Sequence, residues 1–292
     1  MIKILLGIQN FLKDLFLTLG TVSKILLLSG KTKLEDVHPD KDEVVILGNG
    51  PSLTAMLNEH PEFLEGKDLV CVNHFPSSDL YTRIKPKYLI SSAVDLYRED
   101  IEERFLEQSD RLFRDLNDRT SWPLIFFFPF EARKYKGWQN LIKGNKYIRV
   151  CYYNKTPIEG FRWARMLFFN LKYGMARPHN VMVPCMSLMI WLGYKKVYLW
   201  GADHSWLKEI SVDENNNALI NQKHFYDENE SRPQKLDWGG KGSRKLHEIL
   251  YKFMTAFKSY FDVEEYARAN GVRIINCTKG SFIDAFERKS LD

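Results

Sequence analysis

The sequence predicts an α/β fold: a Rossmann-like, mainly parallel sheet flanked by helices, preceded by an amphipathic N-terminal helix. The first observation is a set of short β-branched or aromatic runs, EVVILGNG, DLVCVN, KYLISSA, PLIFFFPF, KYIRVCYY, KKVYLWGAD and VRIINCT, that read as strands. They alternate with stretches of helical spacing, and strand–helix alternation is the pattern of a parallel sheet covered on its faces. The clearest helical stretches are Asp95 to Arg119 and Ser243 to Asn270. The latter carries Leu246, Leu250, Phe253, Phe257 and Phe261, with a stop at Asn270-Gly271. The third observation is composition. Apolar residues make up 45% and charged residues 27% of 292, with 17 Gly and 11 Pro, which excludes collagen-like, disordered and low-complexity chains. This length suits one large domain, or one with a small appendage.

Residues 1 to 29 place Ile4, Ile8, Phe11, Leu12, Leu15, Phe16, Leu19, Val22 and Leu26 at three- and four-residue intervals, the spacing of an amphipathic helix. Lys13 and Asp14 interrupt the segment, which disfavours a spanning helix of about 20 apolar residues, and no small-x-small cleavage site follows. The expectation is a helix in the membrane interface, helped by Lys3, Lys13, Lys24, Lys31 and Lys33. The alternative is a helix packed on the protein's own core or on another subunit. Residues 30 to 42 are charged and read as a linker. Residues 43 to 292 read as the catalytic unit, with a lid-like loop from Ser205 to about Gly240. Cys71, Cys151, Cys185 and Cys277 stand far apart, three of them in apolar runs, and read as reduced core thiols of the cytosol or the cytosolic side of a membrane. The net charge of +5 is too small and too evenly spread to predict nucleic-acid binding, and suits an anionic small molecule or lipid surface.

In open α/β sheets, ligands bind beyond the carboxyl ends of the strands. Gly48-Asn49-Gly50-Pro51-Ser52 follows the first strand; its glycines permit a tight turn, and Pro51 or Ser52 opens a helix whose free N–H groups attract phosphate. It is neither a Walker A loop nor a full G-x-G-x-x-G, and a plain turn with a helix start is the competing reading. Asn73 ends the next strand, a donor and acceptor for a base or sugar, with His74 beside it. Ser92 and Asp95 follow the third strand, where Asp95 suits a sugar or a metal. Asp203 and His204 end the strand from Lys196 to Trp200 and suit a hydroxyl, a metal or a proton in flight; a turn-capping Asp203 is the alternative. In the long loop, His224 is the best general-base candidate, with Lys223 and Tyr226 able to meet phosphate oxygens. Asp40-Lys41-Asp42 imitates a metal-binding Asp-x-Asp but precedes the first strand, so it reads as linker charge.

The GNGPSL start, Val72-Asn73, LGYKKVYLWGAD (Leu192 to Asp203) and Asn276-Cys277-Thr278 with Ser281 resemble bacterial sialyltransferases of the lipooligosaccharide type. They equally resemble the MptE-like group, named for a 6-hydroxymethylpterin diphosphokinase. The first resemblance implies a modified GT-A, Rossmann-like domain that transfers a sialic-acid-like or other nonulosonate or Kdo-type sugar from a CMP-activated donor, inverting and without metal. It implies that Gly48, Asn49, Gly50, Pro51 and Ser52 line the donor, completed by Asn73 and the Ser92 region. The family's tyrosine after the GxD strand is replaced here by His204-Ser205-Trp206, and its later histidine falls where this chain has none, so His224 or His204 stands in as base. Its implied partners are a glycan or lipid-linked acceptor and a membrane surface, reached from the cytoplasmic face of a bacterial inner membrane. A homo-oligomer is compatible with this reading, and nucleic acid is not part of it. The second resemblance implies pyrophosphate transfer from ATP with Mg²⁺, for which Asp95 and Asp203 are the available ligands. A non-catalytic nucleotide-binding membrane protein is the third reading.

Overall fold

A computed structural model describes residues 2–221, 225, 233–235 and 242–291. Helix α1 (Ile2–Leu28) is followed by β1 (Glu43–Leu47), α2 (Leu53–Glu59), β2 (Asp68–Val72), α3 (Leu80–Ile84), β3 (Tyr88–Ile90), α4 (Glu103–Arg119), β4 (Leu124–Pro129), α5 (Gly137–Ile142) and β5 (Ile148–Tyr153). The chain continues through α6 (Arg162–Asn170), α7 (Met182–Leu192), β6 (Lys196–Trp200), β7 (Ile210–Val212), β8 (Ala218–Ile220), β9 (Gln234–Lys235), α8 (Leu246–Ala269), β10 (Arg273–Asn276) and β11 (Glu287–Arg288). Eight strands form one sheet in the order β11-β10-β6-β1-β2-β3-β4-β5, with every pairing parallel. The predicted α/β architecture is the one observed, and all seven predicted runs contain a strand.

Each central strand is buried on both faces, so its residues divide by a period of two between two cores. Val44 and Ile46 face α7 and α8, whereas Val45 and Leu47 face α2, α4 and α5. Apart from half-buried Trp191, every residue of α7 is buried, which explains a helical sequence with no polar stripe. The chain leaves β1 by α2 toward β2 on one side, and returns through α6 and α7 to place β6 on the other. That reversal is the topological switch point, where the carboxyl ends of neighbouring strands part and leave a crevice.

Several expectations are corrected. Residues 30 to 42 are a strap against the body: Leu34 and Val37 are buried, the Lys195 N–H donates to the Asp42 carbonyl at 2.8 Å, and Lys87 pairs with Asp40 at 2.6 Å. The helix expected from Asp95 starts at Glu103, because Val94–Leu96 forms a separate 3-10 turn. The loop from Ser205 contains an antiparallel sheet, β7-β8-β9, whose Ala218 and Ile220 bury a small core with Trp206, Ile249 and Phe253. The short strand β11 carries no apolar signal and is held by pairing with β10, by the Arg273–Glu287 ion pair and by Arg288 donating to the Ser281 carbonyl at 2.7 Å. All four cysteines are free and buried. Among the described residues no helix is long and apolar enough to cross a membrane.

Candidate functional site

The loops after β1 and β6 are fastened to each other. The Gly48 N–H donates to the Trp200 carbonyl at 2.7 Å and the Gly50 N–H to the Gly201 carbonyl at 2.8 Å. A Cβ on Gly48 would lie 2.5 Å from the Gly201 oxygen, and one on Gly50 would overlap the Asp203 carboxylate, so glycine is required where the two backbones touch. Ser52 does not cap α2. Its hydroxyl donates to Asp203 Oδ2 at 2.8 Å. Burial raises the Asp203 carboxyl above its ordinary value, against the hydrogen bonds from Ser52 that favour its charge. Within the turn the Gly48 and Gly50 N–H groups are bonded inside the chain and the carboxyl at Ser52 is Asp203, whereas the expected phosphate contact concerns the N–H groups of the helix that follows. The turn forms a wall of the crevice, with Pro51 exposed and Asn49 half-buried.

Beside this wall stand two asparagines whose carboxamide oxygens, Asn49 Oδ1 and Asn73 Oδ1, are buried with no hydrogen-bond partner among the described residues. Asn49 Nδ2 donates to the Val72 carbonyl at 3.2 Å, which ties the β1 and β2 ends together and turns the oxygen away from that contact. Asn73 adopts the left-handed conformation, φ 48°, at the end of β2, with its N–H on the Ile90 carbonyl at 3.1 Å. Phe225 lies beside Asn49, its N–H on the Asn49 carbonyl at 3.0 Å and its ring 5.3 Å from Phe75. Lys223, His224 and Tyr226 lie outside the described residues. Ser92 gives its carbonyl to Lys155 Nζ at 2.9 Å, and the same ammonium pairs with Glu131 at 3.0 Å. Sequence reasoning missed this Lys155–Glu131 pair, for its members come from two separate loops. Asp95 stands half-buried in the 3-10 turn after β3.

His204 follows Asp203 with φ 48°, again left-handed. Its ring stacks on Trp206 at 4.2 Å, and Nδ1 meets the Tyr260 hydroxyl of α8 at 2.7 Å. Asn180 Nδ2 donates to that hydroxyl at 2.8 Å, while Asn180 Oδ1 accepts the Met182 N–H at 2.9 Å. Burial pulls the His204 imidazole down to about 3, so the ring is neutral at physiological pH. Beside Asn180, burial first and then the Arg177, Lys252 and Arg244 charges lower the His179 imidazole, against the opposing charge of Glu159. Tyr260 and Asn180 were invisible in the sequence: the tyrosine reads as an apolar position of α8, and the asparagine precedes α7 without a motif. The resemblance motif Asn276, Thr278 and Ser281 is buried and braces the β6 loop, with Thr278 Oγ1 accepting the Ala202 N–H at 3.1 Å and Ser281 Oγ donating to the Ala202 carbonyl at 2.6 Å.

No family model matches this sequence, and no curated protein matches it. Among solved structures the chain is similar to the MAf glycosyltransferase from Magnetospirillum magneticum AMB-1, at 10% identity and a TM-score of 0.47, over 90% of this chain and 35% of that one. The chain thus spans about a third of that protein's length. Likeness at this level concerns chain path and not chemistry.

Away from the crevice, α1 is docked by its polar side. Thr21 is fully buried, its hydroxyl donating to the Glu159 carbonyl at 3.0 Å and accepting the Glu159 N–H at 2.9 Å. Thr18 accepts the Phe161 N–H at 3.0 Å, and Lys24 reaches Glu159 at 3.5 Å. Gly160, φ 102°, lets the loop approach, since a Cβ there would come within 2.6 Å of the Thr18 nitrogen. The apolar stripe faces outward: Ile4, Ile8, Phe11, Leu12, Phe16, Leu19, Val22 and Leu26 are exposed, Phe16 by 68%. Trp163, 66% exposed, and Leu167 on α6 add to it. Exposure of this stripe leaves it open to a membrane interface or to another subunit, two of the surfaces expected from the sequence.

Proposed function

We propose that this protein is a glycosyltransferase that moves a sialic-acid-like or other nonulosonate or Kdo-type sugar from a CMP-activated donor to a glycan or lipid-linked acceptor. It works from the cytosolic face of a bacterial membrane, on which α1 lies. The reading is carried by two acceptor oxygens without a partner among the described residues, Asn49 Oδ1 and Asn73 Oδ1, at adjacent strand ends beside the switch point. A buried acceptor without a donor costs about 1–3 kcal/mol, and a ligand bearing N–H or O–H groups recovers it. The cytosine amino group and the ribose hydroxyls are donors of that kind. Asn49, Asn73 and the wall from Gly48 to Ser52 hold the nucleoside, with Ser92 and Asp95 on the β3 side. Inverting transfer then needs a base for the acceptor hydroxyl, the role given to His224, and donors around the departing phosphate, to which Lys223 and Tyr226 are assigned.

The test is thermal stabilisation by CMP, CDP, UDP, GDP and ATP, with and without Mg²⁺. CMP near saturation is expected to raise the midpoint by about 5–10 °C in wild type, and Asn73→Ala is expected to abolish most of that rise. Stabilisation by ATP with Mg²⁺ alone sinks the reading in favour of diphosphoryl transfer.

A further inference from the structure

The hydrogen-bond chain behind His204 admits one arrangement of protons. The Met182 N–H is a donor, so the Asn180 atom it meets at 2.9 Å is the oxygen, and the Asn180 amide is thereby oriented with Nδ2 toward Tyr260. Nδ2 is a donor, so the Tyr260 oxygen accepts at 2.8 Å. The phenol has a single hydrogen, and it points to His204 Nδ1 at 2.7 Å. Nδ1 therefore accepts, and in the neutral ring the proton resides on Nε2. No described residue takes up that Nε2 hydrogen.

We propose that His204 is a fixed hydrogen-bond donor, its Nε2–H offered to an acceptor oxygen of the bound ligand, a phosphate oxygen of the nucleotide, and that Tyr260 and Asn180 are the positioning residues that hold it so. This rests on the reading of the crevice as a nucleotide site. It removes His204 from the candidates for general base, because the nitrogen that would take a proton is already bonded to Tyr260. Two features support the assignment. Burial raises the Tyr260 hydroxyl well above its ordinary value, so it stays a donor, and the same burial keeps His204 neutral. The stack of the ring on Trp206 at 4.2 Å and the left-handed backbone at His204 fix the direction of the imidazole. A neutral imidazole serving as donor to a charged oxygen is a known catalytic device.

The tautomer is read in the free, full-length protein by two-bond ¹H–¹⁵N correlation on ¹⁵N-histidine-labelled chain, with His204 assigned by its loss in His204→Gln. A lone-pair shift at Nδ1 and a protonated shift at Nε2 are expected, with Tyr260→Phe relaxing this to a mixture. Protonated Nδ1 in wild type overturns the inference, whatever the ligand proves to be. CMP titration supplies the second arm. His204→Gln keeps an N–H where Nε2–H stands and is expected to bind CMP within about threefold of wild type, while His204→Ala loses about tenfold, as for one hydrogen bond to a charged group. Equal losses in the two variants overturn the donor role. Failure of wild type itself to bind CMP overturns the nucleotide reading and the ligand half of this inference, leaving the tautomer to the spectrum.

Discussion

At Gly50 a single methyl group decides whether two loops can meet. The added carbon of Gly50→Ala collides with the Asp203 carboxylate and lies 2.5 Å from the Gly201 oxygen, so one loop must move. We expect a loss of about 2–4 kcal/mol in urea unfolding, with CMP binding falling alongside it. Ser52→Ala leaves the buried Asp203 carboxylate short of a donor and should cost about 1–2 kcal/mol. His204 makes a distinct prediction in pH. Its folded value, about 3, lies below the ordinary 6.5, so the unfolded chain binds the proton first and stability falls as pH drops from 6.5 toward 3. Wild type should therefore lose stability on acidification more steeply than His204→Gln, by at most about 1.4 kcal/mol per pH unit. Parallel denaturation curves for the two proteins across that window would refute the burial described for this ring. None of these pairings was legible from residue types: GNGPS reads as a phosphate turn and GAD as a strand end with an Asp for a hydroxyl, a metal or a turn, and only their three-dimensional proximity shows that each fills the other.

Among the elements, α1 inverts the usual arrangement of a surface helix, with Thr18 and Thr21 inward and most aliphatic side chains, Ile25 apart, outward. Spacing of the apolar residues predicted the helix, Ile2–Leu28, but not which side would dock, because the docking residues Thr18 and Thr21 carry no hydrophobic signal. Thr21→Ala leaves the Glu159 N–H without its acceptor and should loosen the helix alone, seen as faster hydrogen exchange over residues 2–28 with the sheet unchanged. Phe16→Glu with Leu19→Glu should abolish sedimentation with anionic phosphatidylglycerol vesicles while the thermal midpoint stays put. Unchanged vesicle binding would remove the membrane from the proposed function. The long loop misled for a related reason: β7 and β8 are only three residues each, too short for alternation to show.

On the scale of the whole molecule, the architecture was the most legible feature, since seven of the eight parallel strands, with helices on both faces, carry apolar runs that survive without any tertiary information. The position of the crevice followed from strand order, which alternation of elements alone does not give. EDTA should leave sugar transfer intact, and strict Mg²⁺ dependence would favour the diphosphokinase alternative. The strand order also sets a timetable for synthesis. β2 leaves the ribosome soon after β1, but β6, the other neighbour of β1, starts only at Lys196. Until then the nascent chain carries β1 with one flank bare, an edge of wholly buried-type residues from Val44 to Leu47 that invites wrong pairing. The seam between Gly48 and Gly201 thus closes late, and a ribosome stalled before Lys196 would hold half a sheet with no crevice.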